Sequence, residues 1–201
     1  MIWTESVAEA LAECGWATIS EFLPPVTWCE LAAEVRAAYA SGNLRAAGVG
    51  RGARYRLADD VRGDQIRWLE ASPASAAQRD ALACLHELRA TLNRELQLGL
   101  LDFEGHFGLY PAGAAYRRHR DQHRGSQARV LSCVVYLNTE WKTDHGGALR
   151  LYFDEADQRE YCDVLPEGGK LVCFLSERFW HEVLPAARER LSLTGWFGRR
   201  S

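Results

Sequence analysis

Leu101-Asp102-Phe103-Glu104-Gly105-His106-Phe107-Gly108-Leu109-Tyr110-Pro111 is the stretch on which the reading of the fold turns. From Leu101 onward the chain changes texture, and short apolar or alternating runs are split by Gly, Pro and Asn. Successive side chains of a strand point to opposite faces, so runs of this kind bounded by turn residues predict strands. The expected set is Phe103–Tyr110, Tyr116–Asp121, Val130–Leu137, Ala148–Phe153, Tyr161–Leu165, Leu171–Leu175, His181–Leu184 and Leu191–Phe197. That many short strands at this spacing predict a sandwich or jelly roll.

Upstream the pattern is helical. Ser6-Val7-Ala8-Glu9 has the spacing of a capping box, with Gly15 as the stop. Trp16–Ile19 predicts a short strand. Pro24-Pro25 break the chain, and Thr27-x-x-Glu30 is expected to open a second helix toward Gly42. Residues 42–60 repeat Gly and Arg without apolar periodicity, which predicts a mobile loop able to act as a lid. Ile66–Leu69 reads as a strand. Over 75–98, Leu82, Leu85, Leu88, Leu92 and Leu96 recur at three- and four-residue steps, the stripe of a helix that packs on a core.

The fold expected is therefore α+β: a double-stranded β-helix, or jelly roll, whose barrel core is packed by N-terminal helices. A chain of 201 residues, 47% hydrophobic and 25% charged, suits one domain over 1–201. Residues 1–100 would supply helices and a substrate loop, and 101–201 the core. The formal net charge of −3 gives no reason to expect nucleic acid as a partner. No apolar run is long enough to span a bilayer, and the start lacks the pattern of a signal peptide. A cytoplasmic location is expected. The six cysteines are scattered without a Cys-x-x-Cys pair and read as thiols rather than a disulfide framework.

Candidate chemistry begins at Tyr116-Arg117-Arg118-His119-Arg120-Asp121. His119 and Asp121 are two apart, so on a strand they share a face ~7 Å apart, close enough to converge on one metal. A third ligand must come from elsewhere, with His86, His106, His123, His145 and His181 available. His181 enters a strand that the topology of a jelly roll can bring against His119. His123 continues the alternation, but three same-face ligands along one strand would stretch ~13 Å, too far for one ion. Two neutral imidazoles and one carboxylate form the facial set of non-haem iron(II) sites, with adjacent positions left open. Zinc would bind similar donors but cannot change oxidation state.

A chelating diacid co-substrate would also need an anchor for its remote carboxylate. Arg190 suits this, because a guanidinium pairs bidentately with a carboxylate. Alternation puts Arg190, Ser192, Thr194 and Trp196 on one face of the last strand, with Leu191, Leu193 and Phe197 on the other. Tyr136 shares its face with Val130, Ser132 and Val134.

These residues resemble the 2-oxoglutarate and iron(II)-dependent prolyl hydroxylases, especially the oxygen-sensing branch and its bacterial relatives. Tyr110-Pro111, Tyr116-x-x-His119-x-Asp121 and Cys133-Val134-Val135-Tyr136-Leu137-Asn138 come in the family's order. Trp141, Gly146-Gly147-x-Leu149-Arg150, His181-Glu182-Val183-x-Pro185 and Arg190 follow. Val61-Arg62-Gly63-Asp64-x-Ile66-x-Trp68 is similar to a piece of the oxygen-sensing branch. The resemblance spans Arg56 to Phe197. It departs from the animal enzymes in the interval Tyr110 to His119, one residue shorter than the family pattern.

The resemblance implies that His119, Asp121 and His181 bind Fe(2+). It implies that Arg190, Tyr136 and Thr194 hold 2-oxoglutarate, that Tyr110 and Tyr116 line its pocket and that Trp196 forms the floor. Tyr116, Trp68 and Arg56 would border the substrate. The implied reaction consumes O2, releases succinate and CO2, and uses ascorbate as reductant. The implied partner is a protein with an exposed prolyl loop, such as a translation factor. Two alternatives stand beside this reading: a small-molecule hydroxylase of the same superfamily, and a jelly-roll module that binds metal and 2-oxoglutarate without turnover. A zinc hydrolase would want a general base beside the metal, and none is evident next to His119 or His181.

Overall fold

A computed structural model describes residues 4–49, 56–57, 61–70, 72–121, 129–155 and 157–199. In chain order the elements are α1 (Thr4–Cys14), β1 (Trp16–Ile19), α2 (Pro25–Ala40), β2 (Arg45–Ala46), β3 (Gly48–Val49), β4 (Arg56–Leu57) and β5 (Gln65–Trp68). Then come α3 (Ala76–Leu96), β6 (Phe103–Tyr110), β7 (Tyr116–His119), β8 (Arg129–Tyr136) and β9 (Leu149–Tyr152). The chain ends with β10 (Tyr161–Val164), β11 (Leu171–Leu175), β12 (Trp180–Val183) and β13 (Arg190–Gly198).

The strands form an antiparallel seven-stranded sheet ordered β1-β11-β8-β13-β6-β5-β2 and a four-stranded sheet ordered β10-β9-β12-β7. These are the two halves of a jelly roll. Among the described residues they do not close into the barrel expected, because each sheet ends on edge strands.

Alternation sorts the major sheet. Leu131, Cys133 and Val135 of β8, Leu171 and Cys173 of β11, and Leu191, Leu193 and Phe197 of β13 face the helices in one core. Val134, Tyr136, Val172 and Phe174 face the minor sheet with Leu149, Leu151 and Val183 in a second. Arg190, Ser192, Thr194 and Trp196 take this second, inward face. The split of β13 is the one that its alternation predicts.

Helix α3 follows its stripe. Leu85, Leu88 and Leu92 are fully buried and Leu82 and Leu96 pack at the margin. The hydroxyl of Ser75 accepts from the Gln78 amide at 3.1 Å and caps the first turn.

Three expectations need correction. Helix α1 begins at Thr4, so Ser6 lies inside it rather than at its cap. Helix α2 begins at Pro25, with Pro24 as N-cap and Thr27 buried within the first turn. Proline at the first helical position costs no hydrogen bond, since that N–H has no partner within the helix. The stretch 42–60 is not an irregular loop throughout. β2 pairs with β5, and β3 pairs with β4; residues 50–55 and 58–60 lie outside the described set. The strands expected near Trp16–Ile19 and Ile66–Leu69 are present as β1 and β5, and with β2 they extend the major sheet. All six cysteines are free thiols, with Cys133 and Cys173 buried but Cys14 and Cys29 exposed.

Candidate metal and co-substrate site

The site lies between the sheets. β12 runs antiparallel to β7 with His181 opposite His119 in register, which sets their ring centroids 4.2 Å apart. β7 ends at His119, so Asp121 is not in the strand as expected but just past it. The turn there still delivers the carboxylate. Asp121 Oδ1 is 3.6 Å from His119 Nε2 and 3.6 Å from His181 Nε2. One donor atom from each residue lies within 4.8 Å of the other two.

Local backbone sets the tautomers. His119 Nδ1 is 2.8 Å from the Arg117 carbonyl, and His181 Nδ1 is 3.3 Å from the Phe179 carbonyl. A carbonyl only accepts, so Nδ1 carries the proton in each ring and Nε2 keeps a lone pair. Two such lone pairs and a carboxylate oxygen therefore converge with no proton between them. That donor set fits a divalent cation, with the outer hydrogen bonds that orient metal ligands already made. Asp121 Oδ2 accepts from Ser132 Oγ at 2.7 Å, and Ser132 in turn meets Ser176 at 2.8 Å.

Titration agrees with this charge pattern. Burial, helped by the nearby His181, pushes His119 below the usual imidazole range despite Asp121. Burial alone would raise Asp121, but the charge and hydrogen bonds of the two imidazoles, when they carry a proton toward it, outweigh burial and hold the carboxyl well below the usual range. Near neutral pH Asp121 is ionised and His119 is uncharged.

At the other end of the inward face Arg190 is 1% exposed. Its Nε donates to the Gly147 carbonyl at 2.9 Å, and the Tyr110 and Tyr136 rings each lie 5.1 Å from its Cζ. Gly147 has φ +70°, and a Cβ there would meet Ala186 Cβ at 2.8 Å and Trp141 Cζ2 at 3.1 Å. Only glycine brings this carbonyl to Arg190 without strain.

Arg190 has no carboxylate partner among the described residues, and neither its Nη2 nor the Tyr136 hydroxyl makes a hydrogen bond. Burying a guanidinium costs several kcal/mol, while one hydrogen bond to a charged group returns ~1.5–3 kcal/mol. The balance favours an anion with oxygens for both free donors. A carboxylate fits. Burial raises the Tyr136 hydroxyl to about 12, against the pull of Arg190, and raises Tyr110 further, so both stay protonated donors.

The remaining predicted residues fall as follows. Thr194 Oγ1 is 3.1 Å from Ser192 Oγ on the inward face of β13. Tyr116 stacks on His119 with centroids 3.6 Å apart and planes 16° apart. Trp196 is buried at the opposite end of β13 from Arg190, and Trp68 is 47% exposed beside it. Arg56 lies in β4, with its side chain outside the described residues. His123 is also outside them. His86 is exposed on α3, and His145 ends a 3-10 turn.

Three features escaped the sequence. Ser132 and Ser176 orient Asp121. Arg62 forks onto Asp64 at 2.7 and 2.5 Å, with Asp64 2% exposed, and its Cζ lies 4.3 Å over the Tyr116 ring. A stack therefore runs from Asp64 through Arg62 and Tyr116 to His119. The Arg-x-Asp spacing of 62 and 64 was the available signal, but nothing local assigned it a partner.

Comparison with known proteins places this geometry. Residues 105–198 match the family model of the 2OG-Fe(II) oxygenase superfamily. Human Egl nine homolog 1 is 28% identical over 200 residues, covering 96% of this chain and 46% of its own length. Human prolyl hydroxylase EGLN3 is 29% identical over 208 residues, covering 96% of this chain and 82% of its own. The chain thus spans about half the length of the first of these relatives. Among solved structures, a Pseudomonas putida prolyl-4-hydroxylase is 44% identical, with a TM-score of 0.89, covering 98% of this chain and all of its own. A Trichoplax adhaerens prolyl hydroxylase, in complex with a hypoxia inducible factor oxygen degradation domain peptide fragment, is 28% identical with a TM-score of 0.85, covering 98% and 89%.

Proposed function

We propose that this chain, which belongs to the prolyl hydroxylase branch of the 2OG-Fe(II) oxygenase superfamily, hydroxylates a prolyl residue in a protein at the expense of 2-oxoglutarate and O2. Succinate and CO2 are the co-products. The observation that carries the reading is the pairing of two half-built sites on one inward face. Lone pairs of His119, Asp121 and His181 await a cation, and the free donors of Arg190 and Tyr136 await a carboxylate.

Iron(II) fits the first and supplies, with the co-substrate and O2, the oxidising power for C–H hydroxylation. The chain's own residues do the rest. Arg190 and Tyr136 take the remote carboxylate of 2-oxoglutarate, with Thr194 beside them and Tyr110 as a wall. Tyr116, Trp68 and Arg56 border the substrate. The apolar walls Val134, Leu151 and Val183 keep water out of the space between the sheets. The protein's share is binding, orientation and exclusion of water.

A protein rather than a small molecule is the substrate in this reading, supported by the peptide complex of the Trichoplax relative. A translation factor with an exposed prolyl loop is a target of the right kind. Ascorbate serves as reductant, the enzyme works in the cytoplasm, and residues 1–201 form one domain. Among the described residues no helix is long and apolar enough to cross a membrane.

The test is anaerobic loading with iron(II), then succinate formation on adding O2 and 2-oxoglutarate, with and without prolyl peptides. Wild type should form succinate, and His119→Ala and Arg190→Ala should not. Binding of both ligands without succinate, even with peptides present, would establish the non-catalytic module instead.

A further inference from the structure

We propose that the outer face of the minor sheet is a docking surface for an acidic segment of the protein substrate, held by Arg118 and Arg120 where they pack on Trp180. The proposal rests on the prolyl hydroxylase reading above, which makes the partner a protein that presents its proline to the metal site.

Strand alternation turns this face away from the metal donors. His119 and His181 point between the sheets, and Arg118 and Trp180, one residue before each, point out. Arg118 Cζ lies 4.7 Å from the Tyr152 ring and 5.0 Å from the Trp180 ring, and Arg120 Cζ is also 5.0 Å from Trp180. Two guanidinium groups thus lean on one indole, although like charges repel.

The charges of this face do not balance around Trp180. Arg150 forks onto Asp163 at 2.7 and 2.8 Å, and the Tyr152 hydroxyl donates to Glu182, so both of those carboxylates are engaged. Arg118 and Arg120 share a single residue. Arg118 Nη2 donates to the Glu155 carbonyl at 2.9 Å, and Arg120 Nη2 donates to the Glu155 carboxylate at 3.2 Å. Two cations therefore face one carboxylate among the described residues, and the sequence over 122–128 adds no Asp or Glu. Arg118 Nε, Arg120 Nε and Trp180 Nε1 are shut away from solvent without a hydrogen bond. Folding has already stripped part of the water from both guanidinium groups, which lowers the desolvation cost that an incoming carboxylate meets.

Glu155 shows what fits. It lies between β9 and β10 with its side chain 60% exposed, and it offers one backbone carbonyl and one carboxylate. An extended acidic segment carries carboxylates at i and i+2 on one face, ~7 Å apart. Such a segment gives each guanidinium its own carboxylate, where Glu155 gives a charge to only one, and arginine forks suit that pairing. The place suits a substrate as well. β7 is the last strand of the minor sheet, so a protein that sends a loop to His119 on its inner side can touch Arg118 and Arg120 round its edge.

The probes are two pools of synthetic peptides with one central proline and varied flanks, identical except for a tail of Asp-Glu repeats in one and Asn-Gln repeats in the other. At ~0.02 M salt the acidic tail should lower the half-saturating peptide concentration ~fivefold. At ~1 M salt, where the screening length falls to ~3 Å, the two pools should coincide. The double variant Arg118→Gln/Arg120→Gln should remove the difference, while the half-saturating concentration of 2-oxoglutarate moves less than twofold. Glu155→Gln takes the resident charge from Arg120 and should widen the difference, a gain that misfolding does not produce. Equal values for the two pools at low salt in wild type, or no widening in Glu155→Gln, would overturn the proposal. A second readout stands apart from turnover. The Trp180 indole N–H signal, assigned with Trp180→Phe, should shift on adding the acidic tail alone, without proline. If wild type forms succinate but hydroxylates neither pool, the prolyl reading fails on its own and this signal decides the surface. A shift keeps it as a site for acidic peptide; a fixed signal, or a shift with an RNA oligonucleotide and none with the tail, removes it.

Discussion

Ser132 Oγ donates to Asp121 Oδ2 at 2.7 Å, so a strand of the major sheet orients the carboxylate that completes the cluster on the minor sheet. Oδ1 is thereby left to face the two imidazoles. The two sheets are coupled through one oxygen each.

Ser132→Ala should therefore weaken metal binding without touching a ligand. Loss of an outer-shell partner typically costs ~10–100-fold in affinity or activity. Iron(II) titration of the variant against wild type, with a circular dichroism check of fold, measures it. Unchanged affinity would mean that the turn at Asp121 alone orients the carboxylate.

Arg190→Met should separate stability from binding. It replaces a buried cation that has no carboxylate partner among the described residues by an apolar chain of similar length, and such swaps are often neutral or stabilising by ~1–4 kcal/mol. The ligand-free variant should melt at or above wild type, and 2-oxoglutarate should raise the melting temperature of wild type only. Arg190→Lys should lie between, since an ammonium lacks the fork.

Removing one member of the Arg62–Asp64 pair should cost more than removing both. Asp64→Leu leaves a buried cation, and breaking a buried pair in this way costs ~3–5 kcal/mol. The double variant Arg62→Met/Asp64→Leu should regain part of that. A double-mutant cycle in urea reads the coupling, and additive losses would show that the pair contributes no interaction of its own. Metal affinity should fall more in the double variant, because Tyr116, which stacks on His119, then loses the guanidinium over its ring.

Stability should fall in mild acid partly through His106. Burial depresses this imidazole to about 4, with Asp64 opposing, against an unfolded value near 6.5. Between these values the unfolded chain binds more protons, so stability is full above pH 6.5 and is lost as pH falls toward 4. The gap corresponds to ~3 kcal/mol. Urea midpoints at pH 7 and pH 4.5 should differ more for wild type than for His106→Leu.

The strands were legible because each carries its own evidence. Phe103–Tyr110 and Leu171–Leu175 have the bounds that alternation and turn residues predicted. His119, Asp121, His181 and Arg190 stood out because their chemistry is rare in a strand. What stayed hidden depends on partners distant in sequence. β2 and β3 are two residues long, too short to show a period, and exist only through β5 and β4. Arg62 and Asp64 were visible only as members of a family-like motif, and the fold alone shows that they pair with each other against Tyr116. The early start of α2 was missed because Pro24-Pro25 read as a break, although the second proline is a natural first helical residue.

One edge of the major sheet is β1, and its pairing partner is β11. Trp16 and Phe174 therefore meet across a long interval of sequence. During synthesis β1 has no mate until Leu171–Leu175 has followed it. Contacts so distant in sequence form slowly. Until β1 docks, β11, apolar on both faces, leaves an open row of amides and carbonyls to any neighbouring chain. Trimming the first twenty residues would spare every candidate ligand and still leave a chain that aggregates.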